Sequence, residues 1–575
     1  MNFSIKCNDE SAKIEIVNQT ECDGILYADI NLTYEEAKVP TTFSVEWKFP
    51  VIDCFSLWTP GFRHTTQLNP DWGKQVTNSR LASYMPLHQI NSIKGKNRLC
   101  ISLSDAVTPT SIATGVYEED ACLNCKVSFF TIPVAPLKQY SATLRIDTRD
   151  IPYYDSLYEV SKWWETECGY THMRVPDIAR RPMNSLWYSY HQMLDVEDII
   201  KECKLSKPLG MDTVIIDDGW ETDDTGRGFA YCGDWEVAPS KVPDMKEFVE
   251  RIHQTGMKVV LWYGVPNLGI HTKNYEKFKD MLLDLSGNNK DFWSLDPRYK
   301  EVRDFLIGIF TNAVSEWKLD GLKLDFIDAF VLRGKSIEHD ERRDFVSLEE
   351  GIDALMTGIT ESLSKINPDI IIEFRQTYIG PAIRKYGNMF RVADCPNDSI
   401  VNRAEIVNLR YTSGKTAVHS DMLMWHYDDS VESAALQFAN IIFSVPQVSV
   451  KIDKIPSDHK KMLSFYLDFW CKNRDILLDG KLTAENPESL YSQVRSEKDG
   501  KAILACYTNN ICDMGENKCM TVVNASSNDS IIIKNADGAE FAVVNCMGEE
   551  IRKGKISTSL FEISVPCSGM VFINK

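Results

Sequence analysis

The chain has 575 residues, 43% of them apolar, and sets 63 Lys plus Arg against 82 Asp plus Glu, a formal charge of −19. That length and apolar content exclude a disordered chain and exceed one ordinary domain. The acidic balance argues against a nucleic-acid partner or an anionic membrane surface, since both need excess Lys and Arg to displace counterions. The expected partner is small or neutral.

In chain order, residues 1–150 show short alternating apolar runs, such as 13–17, 44–49 and 141–146, broken by Asn, Asp, Gly and Pro. This pattern predicts an N-terminal β-sandwich. The amino end, MNFSIKCNDESAK, lacks the apolar core of a secretory signal, and the 16 cysteines follow no regular spacing. Reduced thiols in a cytoplasm are therefore expected. Cys122-Leu-Asn-Cys125 has no second pair and reads as two strand residues, not a zinc or redox site. Residues 151–184 read as a linker with some helix, holding Trp163 and Trp164.

From residue 185 to 478, short apolar strands alternate with helical patterns. The strands fall at 186–189, 213–218, 259–263, 321–326, 370–374, 389–393, 416–420 and 448–452. Helices fall at 196–209, 244–254, 299–317, 348–366, 404–410 and 459–473. Eight β-then-α units in series predict a central (β/α)8 TIM barrel, so the fold class is α/β. The uncharged run 433–450 contains Gln437, Asn440, Pro446 and Gln447 and reads as a buried helix followed by a strand, not a membrane span. The run 339–344 reads as a solvated helix start. Residues 479–575 return to an alternating pattern and predict a small C-terminal antiparallel β-sandwich.

The chemistry sits at strand ends. In Gly321-Leu-Lys-Leu-Asp-Phe326, Lys323 and Asp325 are two apart and share one side of a strand. Two charges aimed into a barrel are tolerable only near its open carboxyl-end rim, as a functional pair or a structural ion pair. In Thr213-Val-Ile-Ile-Asp-Asp-Gly-Trp220 an apolar run ends in Asp217 and Asp218, which face opposite ways. The Asp-Gly could be a plain turn signal, yet an acidic pair followed by Trp also suits a polyhydroxylated ligand. Asp394 ends the run of the sixth strand three residues after Arg391, while Asp398 sits at a plausible helix N-cap.

Two carboxylates projected from non-adjacent strands across one mouth, among Trp187, Trp220, Trp235 and Trp262, fit glycoside hydrolysis. One ionised carboxylate would attack the anomeric carbon, and a protonated one would donate to the leaving oxygen. Lys323 would keep Asp325 ionised, whereas the donor would need its pKa raised. Packing is the competing account of each tryptophan. Metal chemistry has little support: there is no His-x-His or His-Glu-x-x-His, and His419-Ser-Asp421 alone is too little for a catalytic zinc. Magnesium held by Asp-rich loops, for an enolase-type reaction, keeps a minor place. The 226–233 stretch lacks the Lys-Ser/Thr of a phosphate loop.

These residues resemble the retaining α-galactosidases of glycoside hydrolase family 36, relatives of family 27. The resemblance rests on Ile216-Asp-Asp-Gly-Trp220, Gly233-Asp-Trp235 with Lys241 and Pro243 following, Leu261-Trp262, Lys323-Leu-Asp-Phe326 and Arg391-Val-Ala-Asp-Cys-Pro396, in the family's order. It implies Asp325 as nucleophile and Asp394 as acid/base, with Asp398 a minor rival. It also implies that Asp217, Asp218, Lys323 and Arg391 bind ring hydroxyls, that Trp187, Trp220 and Trp262 shape the pocket, and that Asp234 and Trp235 are further substrate-binding residues. The substrate implied is a terminal α-galactosyl group on an oligosaccharide, with no cofactor and no metal. Where many members carry a cysteine- and glycine-rich motif, this chain has Glu373-Phe-Arg-Gln-Thr-Tyr-Ile-Gly380, so N-acetylgalactosamine stays open as the sugar. The same scaffold would also suit a transglycosylase or a catalytically dead sugar-binding barrel. No motif fixes the oligomeric state, and a homo-oligomer stays open.

Overall fold

The computed structural model describes residues 1–61, 66–283, 291–332, 338–375 and 377–575. Within it, eight parallel strands form one sheet: β1 (Met183–Ser185), β2 (Thr213–Ile216), β3 (Lys258–Gly264), β4 (Gly321–Asp325), β5 (Ile371–Arg375), β6 (Met389–Arg391), β7 (Ala417–His419) and β8 (Gln447–Val448). They pair in chain order, β8 pairs with β1, and a parallel bridge from His419 to Val445 closes the remaining gap. The sheet is thus a closed (β/α)8 barrel.

Helices α1 (Val196–Ser206), α2 (Met245–Gln254), α3 (Lys300–Trp317), α4 (Leu348–Ile366), α5 (Ser399–Thr412), α6 (Val431–Ile441) and α7 (Ser457–Asp479) wrap it, and the β5–β6 crossover is a short 3-10 turn, Pro381–Lys385. Oxygen side chains at Asp195, Asp244, Ser347, Asp398 and Ser430 cap α1, α2, α4, α5 and α6 by accepting a backbone N–H three residues on, which fixes where each helix begins. The 3-10 turn makes the β5–β6 crossover much shorter than the others. Gly321 opens β4 where strands crowd: a Cβ there would lie 2.5 Å from the Ile371 carbonyl oxygen.

Two readings of the sequence change element type. The first strand lies at 183–185, and 186–189 turns into a four-residue helix, Trp187–Tyr190. Residues 341–344 form turns, with Asp340 paired to Arg342 and Asp344 to Arg303, so no helix starts there.

Along each strand the barrel interior follows the period of two. Its amino end is plugged by Met183, Ile215, Val260, Ile371, Met389 and Ala417, with Ala179 beneath. One step further up, the inward positions are Ser185, Asp217, Trp262, Lys323, Glu373, Arg391, His419 and Gln447, all buried. One more step brings Asp325 and Arg375 to the mouth. Leu322 and Leu324 alternate outward into the large core shared with the helices. The interior therefore changes within two residues from hydrocarbon to a largely polar layer, charged on β2, β4, β5 and β6, and that layer is the floor of the site.

Residues before the barrel form a five-stranded and a six-stranded antiparallel sheet around their own core. The segment after it forms a seven-stranded and a three-stranded sheet, and it is not wholly antiparallel as expected: Lys501–Cys506 runs parallel to Cys519–Asn524, and Ile511–Asp513 to Ser530–Lys534. Helix Tyr153–Thr166 lies between and buries Tyr153, Leu157, Val160 and Trp164 into the barrel core. No described helix is long and apolar enough to cross a membrane.

Candidate active site

Asp325 ends β4, 6% exposed. Its Oδ1 accepts from Arg375 Nε at 2.5 Å and from the Phe326 N–H at 2.8 Å, and its Oδ2 accepts from Trp262 Nε1 at 3.0 Å. Tyr378 hydroxyl lies 3.4 Å from Oδ1 and 3.0 Å from the Leu324 carbonyl. Burial alone would raise this carboxyl's pKa. Arg375, Lys323 and the Trp262 N–H outweigh burial and hold it below the usual carboxylate range, so it is an anion at neutral pH. Phe326 takes a left-handed backbone, φ 63°.

Lys323 Nζ sits 2.6 Å from Asp217 Oδ2, both side chains buried. Burial would favour a neutral amine, but Asp217, Asp325 and Glu373 keep it charged. Arg391 gathers three carboxylates: its Nη1 is 2.9 Å from Asp394 and 2.7 Å from Asp421, and its Nε is 3.6 Å from Glu373. Asp394 is the open member of this set, with its side chain 48% exposed. Burial and the Asp325 charge raise its pKa, while Arg391, Arg375 and Lys323 lower it, and the cations prevail. The sequence predicts a donor with a raised pKa; in this state Asp394 is instead an arginine-paired anion. The reason is that Arg391 lies directly against it.

Asp218 turns away from Asp217. It is 2% exposed and accepts from Gln192 Nε2 at 2.8 Å. Burial, with Glu221 and Asp217 alongside, pushes its pKa up to about 9. Among the described residues, Asp218, Glu221 and Cys232 form the one cluster that brings three potential metal-ligand atoms within 4.8 Å. Glu221 already accepts from the Gly219 N–H and the Cys232 thiol.

Residues 179–380 match the melibiase family model. That stretch, about a third of the chain, is similar to the melibiases. Its curated relatives include α-galactosidase Mel36A of Lactobacillus acidophilus, 28% identical over 178 residues, which is 29% of this chain and 23% of that protein. Another is the bifunctional α-galactosidase/sucrose kinase AgaSK of Mediterraneibacter gnavus, 27% identical over 27% of this chain and 17% of that one. The matched stretch thus spans less than a quarter of either relative's length. Among solved structures, the family 36 α-galactosidase AgaA of Geobacillus stearothermophilus, in complex with stachyose, superposes with a TM-score of 0.65 at 14% identity, over 96% of this chain and 79% of its own. TtGalA of Thermus thermophilus gives 0.57 at 14% identity, over 85% and 96%. These structural likenesses establish the fold.

Within the matched stretch and the barrel around it, the expected residues separate into two groups. Asp325, Lys323, Asp217, Trp262, Arg391 and Asp394 converge on one mouth through the contacts above. Trp187 stands partly exposed on its short helix, edge-on to His191 at 4.5 Å between ring centroids. Trp220 is a correction: it is fully buried, its Nε1 donates to the Trp262 carbonyl, and it packs on Trp235, Tyr263 and Trp317. It backs the pocket wall and does not face a ligand. Trp235, 5% exposed, stands in the same stack against Trp262. Asp234 spends both oxygens on the backbone of Lys273 and Asn274 and on the Asn274 amide, so it shapes a turn. Asp398 caps α5 through the Val401 N–H at 3.0 Å. Of the 373–380 stretch, Gln376 lies outside the described residues, as do 333–337 of the loop after β4.

Arg375, Tyr378 and Asp421 join the site without having stood out in the sequence. Arg375 had a signal, being a charge two residues after Glu373 at a strand end, the same spacing as Lys323 and Asp325. Asp421 had a weaker one, a carboxylate closing His419-Ser-Asp421, a run that suggests only a partial metal motif.

Proposed function

We propose that the protein is an exo-acting, retaining α-galactosidase that removes terminal non-reducing α-D-galactosyl residues by double displacement, with a catalytic unit of residues 185–478 that holds most of the melibiase-like stretch. The observation that supports this reading most is the state of Asp325: a buried carboxylate kept anionic by two cations and an indole N–H at a barrel mouth, with Asp394 half-exposed beside it. The activities of the relatives agree with it, and AgaA has been seen in complex with stachyose and with raffinose.

In this mechanism an Asp325 oxygen forms a bond to the anomeric carbon as the glycosidic C–O bond breaks, and Asp394 gives its proton to the leaving oxygen. Water then loses a proton to Asp394, attacks the same carbon and releases Asp325. Asp394 therefore has to gain a proton before the first step, against Arg391. A sugar filling the mouth would shield the carboxyl from water and favour its neutral form. Lys323 and Asp217 present one donor and one acceptor edge to ring hydroxyls, and Trp262 positions Asp325 through its N–H. The reaction acts on a neutral sugar and is assigned to a cytoplasm.

A panel of aryl α-glycosides tests the reading. Turnover of the α-galactoside, with α-galactose as first product by NMR, is expected with or without chelator. Preference for the N-acetylgalactosaminide would change the sugar, loss of activity with chelator would favour metal chemistry, and turnover of none would refute the proposal.

A further inference from the structure

Asp421, fully buried just beyond β7, sits at the junction of everything that holds Asp394. Its Oδ1 takes Arg391 Nη1 at 2.7 Å, the same nitrogen that lies 2.9 Å from Asp394. Its Oδ2 accepts the Cys395 N–H at 2.8 Å, the peptide directly after Asp394, and the Tyr188 hydroxyl at 2.9 Å. Asn402 on α5 fixes Asp421 in turn, with its Oδ1 accepting the Asp421 N–H at 3.1 Å and its amide donating to the Asp421 carbonyl at 3.3 Å. On the other flank of Asp394, Glu405 accepts the Ala393 N–H at 2.7 Å. Two buried carboxyls thus grip the peptides on either side of the one that stays open to solvent.

We propose that Asp421 is a positioning residue for Asp394: it pins the strand-end peptide that carries Asp394 and shares Arg391 with it, so that Asp394 can still take up the proton it must deliver. The inference rests on the proposed galactosidase reading. Left with Asp394 alone, the Arg391 guanidinium would hold that carboxylate as a permanent anion, useless as an acid. A second negative charge on the same nitrogen dilutes that hold and repels Asp394's own charge. The groups that face Asp394 are Arg391 from β6, Arg375 from β5, Lys323 and Asp325 from β4, Asp421 beyond β7, Glu405 from α5 and Tyr188 from the short helix after β1. Three cations are set against these carboxyls, and burial raises the proton affinity of both Asp421 and Glu405. Asp421 is the member that touches both the cation and the loop.

The test is the pH profile of kcat/KM on raffinose, whose leaving group needs a proton, beside a dinitrophenyl α-galactoside, whose leaving group does not. Asp421→Asn removes a negative charge and leaves Arg391 to Asp394. Asp394 then holds its proton less tightly, so the alkaline limb for raffinose moves down by about one pH unit while the dinitrophenyl profile keeps its limb. Tyr188→Phe takes a donor from Asp421, which then draws harder on Arg391, and the raffinose limb moves up. This second variant decides the matter if the first does not fold. A uniform loss of rate without a shift, equal shifts on both substrates, or shifts of the same sign in both variants would overturn the inference while leaving the galactosidase reading intact. A folded wild type that cleaves no α-galactoside removes both.

Discussion

Lys323 and Asp217 are 4% and 3% exposed, a depth at which a lone charge would not be tolerated. Their 2.6 Å contact makes the pair viable, and the same lysine is one of the two cations that keep Asp325 ionised. Lys323→Met should therefore act twice. It strands the Asp217 carboxylate, costing about 3–5 kcal/mol, and it weakens the field on Asp325. Denaturant unfolding should show a lower midpoint with an unchanged slope, and Lys323→Met with Asp217→Leu should recover most of the loss. A single variant as stable as wild type would mean that the pair does not carry its burial. The pH sense is fixed too. Because the folded-state pKa of Asp325 lies below the usual carboxylate range, its contribution to stability is present above that range and is lost as pH falls through the folded value.

Strand ends and helix starts divide the carboxylates by role. Asp398 accepts the Val401 N–H at the start of α5, as Asp195 and Asp244 do for α1 and α2, whereas Asp325 and Asp394 follow strands. Asp398→Ala should lower stability by about 1 kcal/mol and leave kcat/KM on an aryl α-galactoside within about twofold; a loss of several orders of magnitude would make Asp398 a rival acid. The same contrast explains what was legible beforehand. β2, β4 and β6 announce themselves as apolar runs cut off by Asp217, Asp325 and Asp394, because a barrel interior must change from hydrocarbon to polar towards its mouth. Leu186-Trp-Tyr-Ser-Tyr190 misled, since aromatic residues satisfy both strand propensity and a short helix packed at a barrel rim. Trp220 misled for a related reason: a tryptophan after an acidic pair suits a sugar wall, but an indole that donates to the Trp262 carbonyl fits a core equally well. Arg375 and Asp421 escaped notice because their roles come from partners 50 and 30 positions away in the chain, at Asp325 and Arg391.

Across the whole molecule, the barrel does not stand apart from its flanking sheets. Trp58, Leu81 and Met85 from the N-terminal segment and Leu482, Val494 and Ile503 from the C-terminal one share the barrel's core. Asn408 on α5 accepts both the Trp58 indole N–H, at 2.7 Å, and the Tyr491 hydroxyl, joining all three parts through one oxygen. On the mouth side, Arg80 donates to the Asp328 carbonyl at 2.8 Å, and the Tyr84 N–H donates to the Thr377 carbonyl at 2.8 Å. The N-terminal segment thereby braces the two loops that follow Asp325 and Arg375. This bracing supports a rigid setting for Asp325, in which its charge is held by neighbours that do not have to move during reaction. The most direct test of that central role is Asp325→Ala assayed with and without azide. The account predicts a loss of at least about a thousandfold in turnover, partly restored by azide, with β-galactosyl azide as the product seen by NMR. A variant that keeps near-normal turnover, or one whose rescue yields the α-azide, would contradict it.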